Sequence, residues 1–279
     1  MDTVADVCST YRHDLEEAAE DLRRRGEALS RDAPKMIEDT RSQIEPQTQE
    51  LIAAVQDTSN VSPKEQPMIE IYAWGTVMVV FSCIGIMLGM YLLGPLISAV
   101  AGKGAAAGIA LFGIPFYAHY QIKQKGMTAS DKSVRMEILY YAILQGVVTG
   151  FVIDSIYLTY VPYAPITPAV VACSFATVAK QANGNRQTLL GGTIGSAVLI
   201  NLTLGMVTGS LSFVYFLLTL TYAGVAAIVM QVALKNLGTM GKPHVYQNAL
   251  SCGIIAAKLM FCLLFGSYQP DQVPDKNDK

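Results

Sequence analysis

Polar side chains inside long apolar stretches are the residues of this sequence that could carry chemistry. Within a bilayer such groups are energetically costly, and where they occur they commonly line an ion path or pair with one another. The candidate ion-path or intramembrane polar residues are therefore Asp154, Gln145, Asn201, Gln231, Ser251 and Lys258.

Each candidate also has a plainer interpretation. Asp154 could line a water-filled path, or it could lie at headgroup level at the end of a helix. Lys258 could pair with a carboxylate inside a bundle, or it could extend its ammonium group to the membrane interface. The amides of Gln145, Asn201 and Gln231 are suited to hydrogen bonds between helices. The sequence leaves these alternatives open.

No residue pattern typical of catalysis or metal binding occurs in the chain. It has three histidines, and we find neither a Ser/His/Asp arrangement nor a phosphate-binding loop. Its five cysteines form no CxxC pair, and four of them lie in apolar runs, where a thiol behaves as a small hydrophobe. We therefore expect no enzymatic activity, no metal, no cofactor and no nucleic-acid partner.

The distribution of charge indicates that the candidates lie in membrane-spanning helices. Of the 279 residues only 15% are charged, against about 25% in a typical soluble domain. After residue 70 the sequence consists mainly of apolar runs, and a helix of about 20 such residues spans a bilayer. The predicted spans are 69–92, which ends at Gly94-Pro95, then 104–122, 135–156, 166–182, 188–207, 211–234 and 246–266. The last is the least apolar, and it could either cross the membrane or re-enter.

The predicted fold class is therefore an all-α membrane protein, with a bundle of about seven transmembrane helices and an N-terminal cytosolic helical extension. We expect this extension at 1–62, the transmembrane domain at 63–266, and a polar C-terminal tail at 267–279. Heptad spacing within the extension favours a coiled coil or a membrane-surface helix, although a solvated, partly disordered tail fits as well; the spaced residues are Leu15, Leu22, Leu29 and Met36, then Ile37, Ile44 and Leu51.

Lysine and arginine alternate between the predicted loops, which gives an orientation. The region before the first span has eight basic residues, and the following six loops have one, four, none, two, none and two. Because basic residues concentrate on the cytosolic side of membrane proteins, the N-terminus and the even loops should be cytosolic. A seven-helix receptor would place its N-terminus outside, so this pattern is against that class.

Glycine pairs spaced one helical turn apart lie in or beside the spans. Such pairs let two helix backbones approach closely, either within one bundle or at a dimer face. The pairs are Gly85/Gly89, Gly104/Gly108, Gly146/Gly150 and Gly205/Gly209.

Short segments over roughly residues 58–266 resemble the Bax inhibitor family (transmembrane Bax inhibitor motif proteins). A Ser-Pro element ahead of a Tyr-Ala pair is similar to the entry to that family's first helix. A glycine-rich third helix, a proline near the start of the fourth and a Leu-Gly-Gly opening of the fifth are similar too. The segments are Asn60–Gln66 before Tyr72-Ala73, then Gln145-Gly146 through Gly150, Ile166–Val170, and Leu189-Leu190-Gly191-Gly192.

The resemblance implies a function in an endomembrane, most simply the endoplasmic reticulum. The expected protein suppresses cell death or modulates calcium homeostasis as a calcium leak, with the lipid bilayer, calcium ions and cell-death regulatory proteins as partners. Members of that family sense pH through two aspartates on the sixth and seventh helices. The corresponding stretches here, 228–234 and 247–253, contain no acid, so no sensor residue is carried over. The alternative function is a small polytopic transporter or channel of unrelated type.

Overall fold

The computed structural model describes Gln49 and residues 51–61, 65–125, 130–236 and 243–268. The chain divides into two compact units, Met1–Gln56 and Asp57–Lys279. The described part of the first unit contains a helical stretch at 51–55. Most of the predicted extension and of the polar tail lies outside the described residues, and so do all the heptad positions except Leu51. The three predicted domains stay predictions.

Helices make up nearly all of the second unit. The described residues of this unit form nine α-helices, two π-helical segments and two short strands. They are, in chain order, α1 Glu65–Leu88, π-helical Gly89–Leu93, α2 Gly94–Ser98, α3 Lys103–Gly108, π-helical Ile109–Gly113, α4 Ile114–Lys125, α5 Asp131–Ile153, β1 Ile156–Tyr157, α6 Ile166–Ala182, α7 Arg186–Val207, α8 Phe213–Asn236, α9 Pro243–Phe265 and β2 Ser267–Tyr268.

Five of the helical stretches described are long and apolar enough to cross a membrane. They are Glu65–Ser98, Asp131–Ile153, Arg186–Val207, Phe213–Asn236 and Pro243–Phe265. The predicted all-helical class is confirmed at this level, but the seven-helix bundle is not. The predicted span 104–122 lies in a continuous helical stretch, residues 103–125, which contains the π-helical turn Ile109–Gly113 and has a polar C-terminal half. The predicted span 166–182 is one helix of 17 residues, about 25 Å long, against about 30 Å of bilayer core.

Each π-helical segment ends two residues before a proline. Proline has no N–H to donate, and its ring clashes with the carbonyl group of the preceding turn. A local π-helical turn rearranges the backbone hydrogen bonds that the proline disturbs, so the helix can continue. The prediction that the first span stops at Gly94-Pro95 is therefore wrong, because the chain passes through the turn Gly89–Leu93 and stays helical to Ser98.

Helices α1 and α5 lie in backbone contact through their glycines. A Cβ atom on Gly85 or Gly89 would meet the backbone of α5, and one on Gly146 or Gly150 would meet the backbone of α1. Two of the four predicted glycine pairs thus pack against each other inside the unit. The Gly104/Gly108 pair faces open space, Gly205 lies against the Tyr215 ring, and Gly209 adopts a positive φ of 64° in a turn.

Contacts along α5 give the direction of its neighbours. Residues 103–125 run antiparallel to α5, since Lys103 pairs with Asp154 at one end and Lys125 with Glu137 near the other. Helix α9 runs parallel to α5, because His244 contacts Asp131 where both helices begin. Beyond their other ends, β1 and β2 pair in antiparallel fashion. The seventh predicted segment therefore extends along the whole of α5 and does not turn back.

The bundle has two chemically different ends. Helices α1, α5, α7 and α9 begin, and α4, α6 and α8 terminate, on one side of the bundle, which we call the charged end. The other side is called the opposite end. Local sequence sets the helix starts at the charged end. The Ser130 hydroxyl accepts from the Ser133 N–H, and the Asn185 side chain accepts from the Thr188 N–H, at 3.3 and 3.0 Å. Both are N-caps of the favoured residue types.

Candidate functional site

The structure distributes the six predicted polar residues over several helix contacts. The Gln145 amide is buried on α5 and donates to the Ala110 carbonyl at 3.0 Å. Asn201 is buried on α7 and donates to the Thr167 hydroxyl of α6 at 3.1 Å. The hydrogen bonds between helices expected of these two amides are thus present. Gln231 accepts a hydrogen bond through its backbone carbonyl on α8.

The remaining candidates lie apart from these amides. Asp154 directly follows α5 at the opposite end, where it pairs with Lys103. Lys258 is half-buried on α9 and forms no ion pair with any described residue. The buried Ser251 hydroxyl has no hydrogen-bond partner among the described residues. Asp154, Gln145, Asn201, Ser251 and Lys258 form no hydrogen bond with one another, and an ion path through them stays a prediction.

A hydrogen-bonded network joins three helix starts at the charged end. The His244 Nε2 atom on α9 lies 2.6 Å from Asp131 Oδ1 on α5. The other ring nitrogen lies 3.1 Å from the Gln247 side-chain oxygen, and the Gln247 amide donates to the Glu70 carbonyl of α1 at 3.4 Å. His244 is only 1% exposed, so both of its nitrogens have their partners inside the network.

Arg135 extends the same network across α1. Its guanidinium pairs with Glu70 of α1 and, at 2.8 Å, with Asp131 one turn earlier on α5. It also lies over the Trp74 ring, 5.8 Å from the ring centroid, which is the geometry of a cation–π contact. Both negative groups around Arg135 are thus held by one guanidinium, whose planar fork suits carboxylates.

A second ion pair near this network fastens α4 to α5. Lys125 Nζ lies 2.8 Å from Glu137 Oε1, and the Tyr141 hydroxyl donates to the same carboxylate at 3.1 Å. Lys125 is about half exposed, so this pair contributes at most about 1 kcal/mol.

A buried arginine connects the segment before α1 with α7 and α8. Arg186 is 1% exposed, and its Nη1 atom lies 2.5 Å from the Asp57 carboxylate. Its Nη2 atom donates to the Gln231 carbonyl at 3.0 Å. The Val61 N–H donates to the Gly184 carbonyl at 2.9 Å, in the turn that precedes α7. Residues 57–61 are therefore held against the charged end by a charge and a backbone hydrogen bond.

The pKa of Asp57 is low for a physical reason. Hydrogen bonds from Ser59, through both its side chain and its backbone, hold the pKa of this carboxyl at about 2, and the nearby Arg186 guanidinium acts in the same direction. Asp57 is consequently ionised at any physiological pH, and it is the counter-charge for Arg186.

The chemistry available at the charged end is recognition by charge. In the described part of the chain, no group of three or more His, Cys, Asp or Glu side chains could hold a metal ion. Four lysines at this end are exposed and form no ion pair with a described residue; they are Lys123, Lys132, Lys180 and Lys235. Such a surface can bind an acidic face of another protein.

Sequence reasoning counted Arg186 only as a basic loop residue and missed its burial. A signal was present, because a cation at the first position of a helix opposes the helix dipole and needs another reason to be there. The network at Asp131, Arg135, His244 and Glu70 was missed as well. Its members are 113 and 65 residues apart in sequence, and single-sequence patterns do not carry such pairings.

Comparison with known proteins gives a different family from the one that the motifs suggested. A family model described as Interactor of ZYG-11 matches residues 1–268. No curated protein and no solved structure matches the chain. The assignment to the Bax inhibitor family is therefore wrong, and the roles in cell death and calcium homeostasis that it implied lose their support. The match names a protein interaction, which gives no support to a transporter or channel either.

The misleading motifs have a common physical origin. Glycines that let helices touch and prolines in a first helical turn recur in polytopic helical proteins whatever their ancestry. Here Gly146 and Gly150 pack on α1, and Pro168 lies in the first turn of α6. The family match, in contrast, covers both compact units and nearly the whole length. The chain belongs to the Interactor of ZYG-11 family.

Proposed function

We propose that this protein is a membrane-embedded binding partner of a ZYG-11-type protein, and that it acts by binding and not by catalysis. The observation that carries the proposal is the family match over residues 1–268, since the family is described by that interaction. The lipid bilayer is the second partner, because five described helices are long and apolar enough to cross it.

The charged end is the surface we assign to the protein partner. It carries the four exposed lysines Lys123, Lys132, Lys180 and Lys235, and the segment 57–61 is fixed there by Arg186. In sequence, that segment directly follows the Met1–Gln56 unit. The alternation of basic residues supports a cytosolic position for this end.

A binding experiment with the full-length chain tests the proposal. The protein, extracted in mild detergent, is immobilised and exposed to purified ZYG-11, and the dissociation constant is measured at two salt concentrations. We expect saturable binding that weakens with salt, because exposed charges are screened. Lys123→Glu together with Lys180→Glu should weaken binding about tenfold, since rim charges contribute modestly to affinity.

The control variant changes charge at the opposite end without touching the assigned surface. Ser98→Glu adds an acidic group on exposed α2, and binding should be unchanged. Failure of the wild-type chain to bind ZYG-11 would remove the proposed function. If Ser98→Glu weakened binding as much as the double variant does, the binding surface would not be the charged end.

We further propose seven membrane crossings with the N-terminus in the cytosol. Two contacts support crossings by residues 103–125 and by α6. Residues 103–125 pair with α5 near both of its ends, and the end of α6 reaches the turn that binds Val61. A helix of 17 residues can span when its flanking residues lie in the interface.

A further inference from the structure

A cavity opens at the opposite end of the bundle, where α2, α3 and the end of α5 meet. It has a volume of about 600 Å³, within the range of small-molecule sites, about 300–1,000 Å³. Its apolar wall includes Met90, Tyr91 and Phe151, and two glycines, Gly94 and Gly102, contribute no side chain to fill it. The π-helical turn Gly89–Leu93, which proline makes necessary, forms one side of it.

The cavity holds one positive and one negative side chain. Lys103 donates to the Asp154 carboxylate and, at 2.7 Å, to the Ser155 hydroxyl. Both ionic groups are partly exposed, at 46% and 31%. They are the charged side chains among the residues that line the cavity, so its net charge is zero.

A neutral pair of charges selects a ligand that is itself a pair of charges. An anionic ligand would satisfy Lys103 but repel Asp154, and a cation would do the reverse. A zwitterion laid antiparallel to the pair satisfies both, without breaking their contact. Tyr91 on the same wall can add a cation–π contact to a quaternary ammonium group.

The position of the cavity identifies the source of the zwitterion. Its wall is the last part of the candidate span Glu65–Ser98. The surrounding surface is apolar and exposed, with Tyr91, Leu92, Leu96 and Val100 all more than 60% accessible. Exposed apolar side chains beside a paired lysine and aspartate, at the end of a membrane helix, match the boundary between acyl chains and headgroups.

We propose that this cavity binds the headgroup of a zwitterionic phospholipid, with the phosphate beside Lys103 and the ammonium beside Asp154. The proposal rests on the membrane insertion proposed above. The lipid occupies a defined site at the non-cytosolic boundary and holds α2 and α3 against α5.

Native mass spectrometry of the full-length chain in mild detergent tests the site. The protein is titrated with dioleoyl-phosphatidylcholine or with dioleoyl-phosphatidylglycerol, which has the same tails but no ammonium group. We expect about fivefold more of the choline lipid to be retained, the size of one partly exposed charge contact. Asp154→Asn should abolish this preference, and Lys103→Met should reduce retention of both lipids.

A cavity-filling variant tests the site without removing charge. Gly102 has an ordinary φ of −73° and open space around it, so Gly102→Leu should fold and should reduce retention of both lipids. The control is Lys125→Met with Glu137→Gln, which removes an ion pair between the same stretches at the charged end. It should leave the preference intact.

Several outcomes would overturn the assignment. Equal retention of the two lipids by the wild-type chain, or an unchanged preference in Asp154→Asn, removes the site. Displacement of the lipid by soluble phosphocholine at equal concentration assigns the cavity to a free zwitterion instead. Release of the chain from membranes by alkaline carbonate, measured first, would refute membrane insertion itself; a chain that stays in the membrane and shows no preference refutes only the lipid site.

Discussion

Arg186 is the buried residue that holds residues 57–61 at the charged end. Its guanidinium is 1% exposed, with Asp57 as its counter-charge and the Gln231 carbonyl as a second acceptor. A buried charge without its partner is strongly destabilising, whereas removal of both charges is often neutral. Removing only the Asp57 charge should therefore destabilise the protein more than removing the charges of both Asp57 and Arg186.

Asp57→Asn should lower the thermal unfolding midpoint in detergent, because Arg186 keeps its charge and loses its counter-ion. The double variant Asp57→Asn with Arg186→Met should recover part of that loss, since no buried charge is left. Differential scanning fluorimetry measures both. A double variant that unfolds below Asp57→Asn would show that the ion pair is not what holds residues 57–61 in place.

The pH dependence of this pair has a defined sign. The folded-state pKa of Asp57 is about 2, below the unfolded value of about 3.9. A depressed carboxyl pKa stabilises the folded state above the unfolded pKa, and the stabilisation disappears as the pH falls through the folded pKa. The difference in unfolding midpoint between the wild type and Asp57→Asn should stay constant from pH 7 to about 5 and shrink from there toward pH 2. A difference that disappears between pH 7 and 5 would assign the effect to another group.

At the scale of elements, apolar runs located the helices, and α6 begins and ends at the predicted residues 166 and 182. The π-helical turn in the second predicted span was missed, because periodicity averages over residues Ile109–Gly113. Pro115 could have indicated this turn, as Pro95 indicates the π-helical turn Gly89–Leu93. Contacts between elements, such as Arg135 with Glu70, depend on which helices become neighbours, and one sequence does not contain that information.

The glycine contact between α1 and α5 predicts that a methyl group added there lowers stability, whereas a methyl group added to a glycine outside the contact does not. Gly150→Ala places a Cβ against the Ile86 backbone, which cannot move aside as a side chain can. We expect a loss of about 1–3 kcal/mol in unfolding free energy, the usual cost of overpacking, measured by chemical unfolding in detergent.

The matched control is Gly108→Ala in α3, where nothing lies within 4 Å of the added atom. It should be neutral or stabilising by up to about 1 kcal/mol, since alanine is the better helix former. If both variants lose equal stability, the close approach of α1 to α5 is not the cause.

For the whole molecule, five and seven crossings differ in the side on which two connections lie, the α4–α5 connection and the β1–α6 connection. Both give a cytosolic N-terminus and a C-terminus on the other side. With seven crossings the β1–α6 connection is non-cytosolic, whereas with five, if residues 103–125 and α6 do not cross, it is cytosolic. A flexible segment with a glycosylation acceptor, inserted after Tyr160, should therefore be modified in microsomes.

The other acceptors serve as controls in the same experiment. An acceptor appended after residue 279 should be modified, and the native sequon at Asn60 should not. Modification of the appended acceptor without modification after Tyr160 would establish five crossings. Modification at Asn60 would reverse the orientation and move the charged end away from the cytosol.

The parallel pairing of α1 with α5 has a consequence for biogenesis. Gly146 follows Gly85 by about sixty residues, so at synthesis rates of 5–20 residues per second α1 waits roughly 3–12 s for its partner. During that interval the glycine face of α1, which lacks side chains, contacts lipid or an insertion chaperone. A ribosome stall placed so that α1 has left the exit tunnel while α5 has not should therefore leave α1 inserted, yet open to crosslinking by membrane-embedded assembly factors until α5 emerges.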